Sequence, residues 1–163
     1  MGARGALQTL IQELGRRAGL DGLTLDADGF VALRVDGRLT LHALAEDEDG
    51  REAVLYVPMN PVATQDREAL YRRMLAANFS GEATAGAALA LDGETGRAVL
   101  LRRIEPEAMA WPRFERLVED LLAAAETWSR ELEAPMTAEP AGERALLGPG
   151  LAEADLRTFS IRA

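Results

Sequence analysis

Between residues 30 and 61 the apolar residues fall into three short runs, separated by turns too brief to carry a helix. The first run, 30–35, places Val31, Leu33 and Val35 on one face. Asp36-Gly37 follows, a strong signal for a tight hairpin. Leu39, Leu41 and Ala43 then alternate with Arg38, Thr40 and His42. The acidic run Glu46-Asp47-Glu48-Asp49 ends in Gly50 and reads as a solvated turn. Residues 53–57 make a third strand, closed by Pro58 and Pro61. Three consecutive strands joined by short turns imply an antiparallel meander.

Helical spacing flanks this meander. Leu7, Leu10, Ile11, Leu14 and Ala18 repeat at steps of three and four, one apolar stripe of an amphipathic helix. Gly19, after Arg16 and Arg17, suits a left-handed stop. A second helix starts at Thr64 or Gln65, with the stripe Leu70, Tyr71, Met74, Leu75 and Phe79. Small residues fill 81–90, Leu89 and Leu91 lead into the hairpin turn 92–96, and 97–104 is the returning strand. Pro112 marks the start of the last helix, whose stripe is the cleanest in the chain: Phe114, Leu117, Val118, Leu121, Leu122, Ala125 and Trp128.

The order is therefore α-β-β-β-α-β-β-α, an α+β fold with an antiparallel sheet and three helices in a single domain, 1–134. Beyond Pro135 the periodicity fails, and 135–163 reads as a loosely ordered C-terminal tail. Leu151, Leu156, Phe159 and Ile161 could still form a short docked element within it.

The residue inventory removes most chemistry. The 163 residues include no Cys and one His, and all 18 basic residues are Arg. That excludes disulfides, cysteine nucleophiles, a P-loop lysine and Schiff-base catalysis. A net charge of −9 argues against nucleic-acid binding, which needs a basic surface. Residues 81–88 have the glycine spacing of a phosphate loop, but Ala87 stands where the lysine belongs and a helix precedes it. The aspartate-rich turns at 26–29 and 46–50 lack oxygen donors at the last position of a calcium loop, so no metal site is expected. His42 lies opposite the apolar face, with no nucleophile pattern near it. No catalytic residue and no cofactor is expected. No apolar run is long enough to span a bilayer and no signal peptide is visible, so the expected location is cytoplasmic, with no membrane partner. What remains is surface: apolar stripes and sheet edges that could bind another chain.

Three segments carry a family resemblance. The first is the opening helix, Leu7 through Gly19, followed by a strand hairpin. The second is Met74-Leu75-Ala76-Ala77-Asn78-Phe79, leading through Gly86 to Leu89-Ala90-Leu91-Asp92. It is similar to an L-x-x-N-x-x-…-G-x-x-L-x-L-D passage. The third is the strand from Val99 to Arg103, then the helix with Phe114, Leu121, Leu122, Glu126 and Trp128. In order, spacing, size and acidity the chain resembles the type III secretion chaperones of the Tir chaperone (CesT) class, over roughly residues 5–134.

That resemblance implies a small cytoplasmic homodimer without enzymatic activity. It would hold the N-terminal chaperone-binding segment of a secreted effector extended, soluble and ready for export, with the secretion ATPase as a further candidate partner. The resemblance assigns the dimer contact to Leu70, Tyr71, Met74, Leu75 and Leu89. It assigns effector contacts to Leu7, Leu10, Ile11, Leu14, Val31, Leu33 and Val57. The acidic charge would surround these patches and attract a basic effector segment. Two other roles compete: a relative of this class that sequesters a regulator of secretion genes, and, more remotely, a small enzyme. The tail after Leu132 departs from the family pattern.

Overall fold

The sheet grows out of the turn at Asp36-Gly37. Both residues take the left-handed conformation that a primed hairpin turn requires, with φ of 50° and 68°. The Arg38 N–H donates to the Val35 carbonyl at 3.1 Å across the turn. Strands β1 (Phe30–Val35) and β2 (Leu39–Ala45) therefore pair in antiparallel register, Phe30 opposite Leu44 and Val35 opposite Leu39. β3 (Ala53–Pro61) pairs with β2 on one side and β5 (Arg97–Ile104) on the other. β4 (Ala88–Leu91) adds to β5. These five strands are antiparallel. A two-residue strand, β6 (Thr158–Phe159), runs parallel to β1, and the sheet order is β4-β5-β3-β2-β1-β6. The structure, a computed structural model, describes residues 2–45, 51–61, 67–132 and 158–159. The acidic turn 46–50, the expected start of the second helix and most of the tail lie outside the described residues.

Three helices complete the fold: α1 (Ala3–Arg17), α2 (Arg67–Ser80) and α3 (Trp111–Glu131). α1 ends as the sequence implies. Gly19 adopts φ 70°, its N–H reaches Arg16 O, and the Leu20 N–H reaches Gly15 O at 2.8 Å, closing a Schellman-type stop. α3 opens with Pro112 in its first turn, where a missing N–H costs nothing. All three helices send buried residues into one core. Leu7, Ile11 and Leu14 of α1, Met74 of α2, and Phe114, Leu121 and Trp128 of α3 meet Leu33, Leu41, Leu55, Val57 and Leu100 of the sheet.

One boundary differs from the sequence reading. β3 does not close at Val57 but continues through Pro58 to Pro61, with a register shift between the two prolines. The pairing with β2 ends at His42 opposite Tyr56. Beyond that point β3 is bonded to β5 alone, and proline is tolerated where a ladder has a free side. Of the tail residues expected to form a short docked element, Phe159 lies in the two-residue parallel strand β6, and Leu151, Leu156 and Ile161 lie outside the described residues.

Candidate partner-binding surface

The passage from α2 into β4 is tied down by side chains that stand in for backbone. Asn78 Nδ2 donates to Leu89 O at 3.0 Å, and Asn78 Oδ1 accepts from the Leu89 N–H at 2.7 Å. One amide thus acts as the strand partner that β4 lacks on its outer side. Arg102 Nη1 donates to Ala85 O at 2.6 Å, and Trp128 Nε1 donates to Ala83 O at 3.0 Å. Gly86 turns with φ 73°, and a β-carbon there would lie 3.1 Å from the Arg102 guanidinium. Asp92 accepts from the Glu94 N–H and from the Thr95 hydroxyl, and this lowers its pKa. The segment 81–88 is therefore a braced connection, not a phosphate loop and not a slack lead into the strand. Replacing Asn78 with alanine leaves two backbone groups of β4 without their partner. The expected loss is about 2–3 kcal/mol of unfolding free energy, read from urea denaturation.

α2 is only half used by this core. Met74 and Ala77 are buried, and Leu70 and Tyr71 pack partly against the core. Leu75 is 69% exposed and Phe79 96% exposed, four residues apart on one face. Leu91, at the end of β4, is the third exposed large apolar residue among the described residues. Of the residues expected at a dimer contact, Met74 and Leu89 are core and Leu75 is surface. Phe79 belonged to the sequence stripe but not to the expected contact, and it is the most exposed of all.

The structure places the residues expected to touch a partner through α1 and the sheet mostly in the core. Leu7, Leu10, Ile11, Leu14, Leu33 and Val57 are all buried, and Val31 is partly buried against the same core. Their stripe faces inward because α1 packs across β2 and β3 beside α3. The six buried residues hold the fold, and Val31 alone keeps part of its surface.

The open apolar surface is the other face of the sheet. Strand register places Phe30 and Ala32 of β1, Leu44 of β2, Val54 and Pro58 of β3 and Leu101 of β5 on it. All six are only partly buried, and none belongs to the core or packs on it. Among the described residues no helix covers this face. Its charged positions are Arg34 and Arg103, both exposed, so the acidic surround expected from the net charge is absent from the strand positions of this face.

His42 sits in the middle of this face. It is 8% exposed, with Phe30 edge-on at 5.4 Å and the Tyr56 ring at 4.6 Å. Its Nδ1 finds no hydrogen-bond partner among the described residues. Burial pushes its pKa down to about 4 and that of Tyr56 up to about 12. The unfolded chain protonates this histidine near 6.5 while the folded chain resists until about 4. Its contribution is therefore fully present above pH 6.5 and is lost as pH falls toward 4. The expected drop across that window is on the order of 2–3 kcal/mol, absent from a His42→Leu variant measured in parallel by urea denaturation.

Among the described residues, no group of three or more His, Asp or Glu side chains could hold a metal ion, and no helix is long and apolar enough to cross a membrane.

Among the described residues the sheet thus has one helix-covered face and one open apolar face, and α2 carries an exposed apolar pair. Residues 9–129 match the profile of the Tir chaperone protein (CesT) family, and the chain belongs to that family. A Chlamydia pneumoniae protein designated CPj0713/CpB0740 is 31% identical over 128 residues, 77% of this chain and 95% of that protein. Three solved structures share the fold at lower identity. A chain of the ExsC–ExsE complex matches with a TM-score of 0.69 and 23% identity, over 85% of this chain and all of that one. A chain of the HopA1–SchA chaperone–effector complex matches at 0.65 and 21%, over 78% and 95%. A chain of the complex of the Yersinia pestis type III secretion chaperone SycH with a stable fragment of YscM2 matches at 0.59 and 19%, over 74% and 97%.

Proposed function

We propose that this protein is a cytoplasmic, homodimeric type III secretion chaperone. It binds the N-terminal segment of a secreted effector in extended form, keeping it soluble and competent for export. The observation that carries this reading is the open apolar sheet face around His42, in a chain whose family is one of chaperones. An extended segment has no core of its own, so it gains affinity from many shallow apolar contacts and strand pairing, against a large ordering cost. A broad half-buried sheet supplies such contacts. Leu75 and Phe79 are a second apolar surface, on a different element, and suit a self-association that doubles the binding area on a closed twofold assembly. The role is binding, with no catalytic step.

Expression of the tagged chain in its native background tests this. A secreted protein should co-purify, and its N-terminal segment should resist protease only in the complex. A strictly monomeric chain at micromolar concentration that shields no segment sinks the proposal. Capture of a transcription-linked protein in place of an effector would point to the regulatory role.

A further inference from the structure

We propose that Arg34 selects the partner: the segment that covers the open sheet face carries a carboxylate, and this guanidinium receives it. The proposal deepens the reading above, since it rests on that face taking an extended chain, and it names the chemistry of the chain. At long range the net charge of −9 favours a basic partner. The strand positions of the face favour the opposite, because their two charged side chains are both arginines.

The two arginines are not equivalent. Arg103 stands in the row of Phe30, Leu44 and Val54 and has Glu52 at 3.8 Å. Arg34 lies two rows along β1, opposite Thr40. It is exposed and, among the described residues, makes no hydrogen bond or ion pair, although Asp36 follows two residues later. About 13 Å of strand separates its Cα from that of Phe30. At the Phe30 end the acidic run 46–50 joins β2 to β3. That separation exceeds the Debye length of about 8 Å at physiological salt, so the run does little to neutralise Arg34.

The neighbours of Arg34 on the face carry no charge. Ala32 is beside it on β1, Thr40 is across from it, and His42, diagonal to it, is kept neutral by burial. A chain laid along the strands over Phe30, Ala32 and His42 takes water from Arg34 as well. An apolar residue placed over the guanidinium leaves a charge without water or partner, and a basic residue adds repulsion. An aspartate or glutamate replaces the lost hydration with two parallel N–H···O bonds, a geometry that suits the guanidinium fork. Side chains of an extended chain return to one face every second residue, about 6.6 Å apart, as do those of β1. The partner is thus a segment with an acidic residue over Arg34 and apolar residues two and four positions away, over Ala32 and Phe30.

The test uses the full chain and three blocked nine-residue peptides in which Val and Thr alternate around a central Asp, Asn or Arg. With the variable residue at the centre, either direction along the strands carries two Val onto the face. Binding is read from the methyl NMR shifts of Ala32, Leu44, Val54 and Leu101 as each peptide is titrated to millimolar concentration. The Asp peptide should bind about fivefold more tightly than the Arg peptide at low salt, and the gap should close in about 0.5 M salt. Arg34→Glu should reverse this order and Arg34→Gln should erase it, with the fold intact in both because the side chain is exposed. Equal midpoints for the three peptides would overturn selection by Arg34 and leave the face as a docking surface. A preference for Asp that survives in both variants would also overturn it, since another cation would then be the receiver. Absence of any shift with every peptide would overturn the docking face itself, on which both readings rest.

Discussion

Phe79→Asp is expected to raise the dissociation constant of the proposed dimer about 100-fold, equivalent to about 2.7 kcal/mol, while leaving the fold intact. Phe79 is 96% exposed and contributes nothing to the core, so its loss should change unfolding free energy by less than about 0.5 kcal/mol. An aspartate in a closed apolar contact is a different matter, because a twofold contact on this face would bury one in each copy. Sedimentation at micromolar concentration should show a monomer in the variant and a dimer in the unmodified chain. Leu75→Asp, on the same face, should act in the same direction. An undiminished dimer in both variants would move the self-contact off α2.

Leu7→Ala is expected to cost about 2–5 kcal/mol of stability, the range for a buried leucine whose cavity cannot collapse. Leu7 is fully buried and lies with Ile11 and Leu14 against the sheet core. The resemblance of the sequence to the secretion chaperones had assigned this stripe to the effector, which predicts lost binding at unchanged stability. Urea denaturation decides between them. A loss below about 0.5 kcal/mol, accompanied by loss of partner binding, would return the stripe to the surface.

The order of elements was legible because period and turn chemistry agree at each junction. Asp36-Gly37 had to turn, Gly19 had to stop a helix, and the α3 stripe had one apolar side. Apolar faces were legible; what covers them was not. On α2 the apolar residues 70, 71, 74, 75 and 79 span nearly half the helix circumference, wider than the seam that Met74 and Ala77 bury. Periodicity treats all five alike, and only packing separates Met74 from Phe79. The strands hid their second face for a related reason. Alternation put Val31 and Leu33 on one face, the one the core covers, but Phe30 and Ala32 are apolar too, as are Leu44 opposite Val54 and Tyr56 opposite Leu101. Strands apolar on both faces were the available signal for an open contact surface. Asn78 was visible as a motif letter, yet its task of bonding β4 needs the fold to bring residues 78 and 89 together.

The two tryptophans lie at opposite ends of α3 and in unlike surroundings. Trp128 is buried, tied through its indole N–H to Ala83 beside the α2–β4 connection, with the Arg73 guanidinium 6.0 Å from its ring centre. Trp111 is half-buried at the first turn, with Arg17 of α1 at 5.0 Å. The chain thus carries two natural fluorophores, one sensing the neighbourhood of α2 and the other the junction of α1 with α3. Their emission can report which end of the long helix an arriving molecule disturbs, without any label being attached.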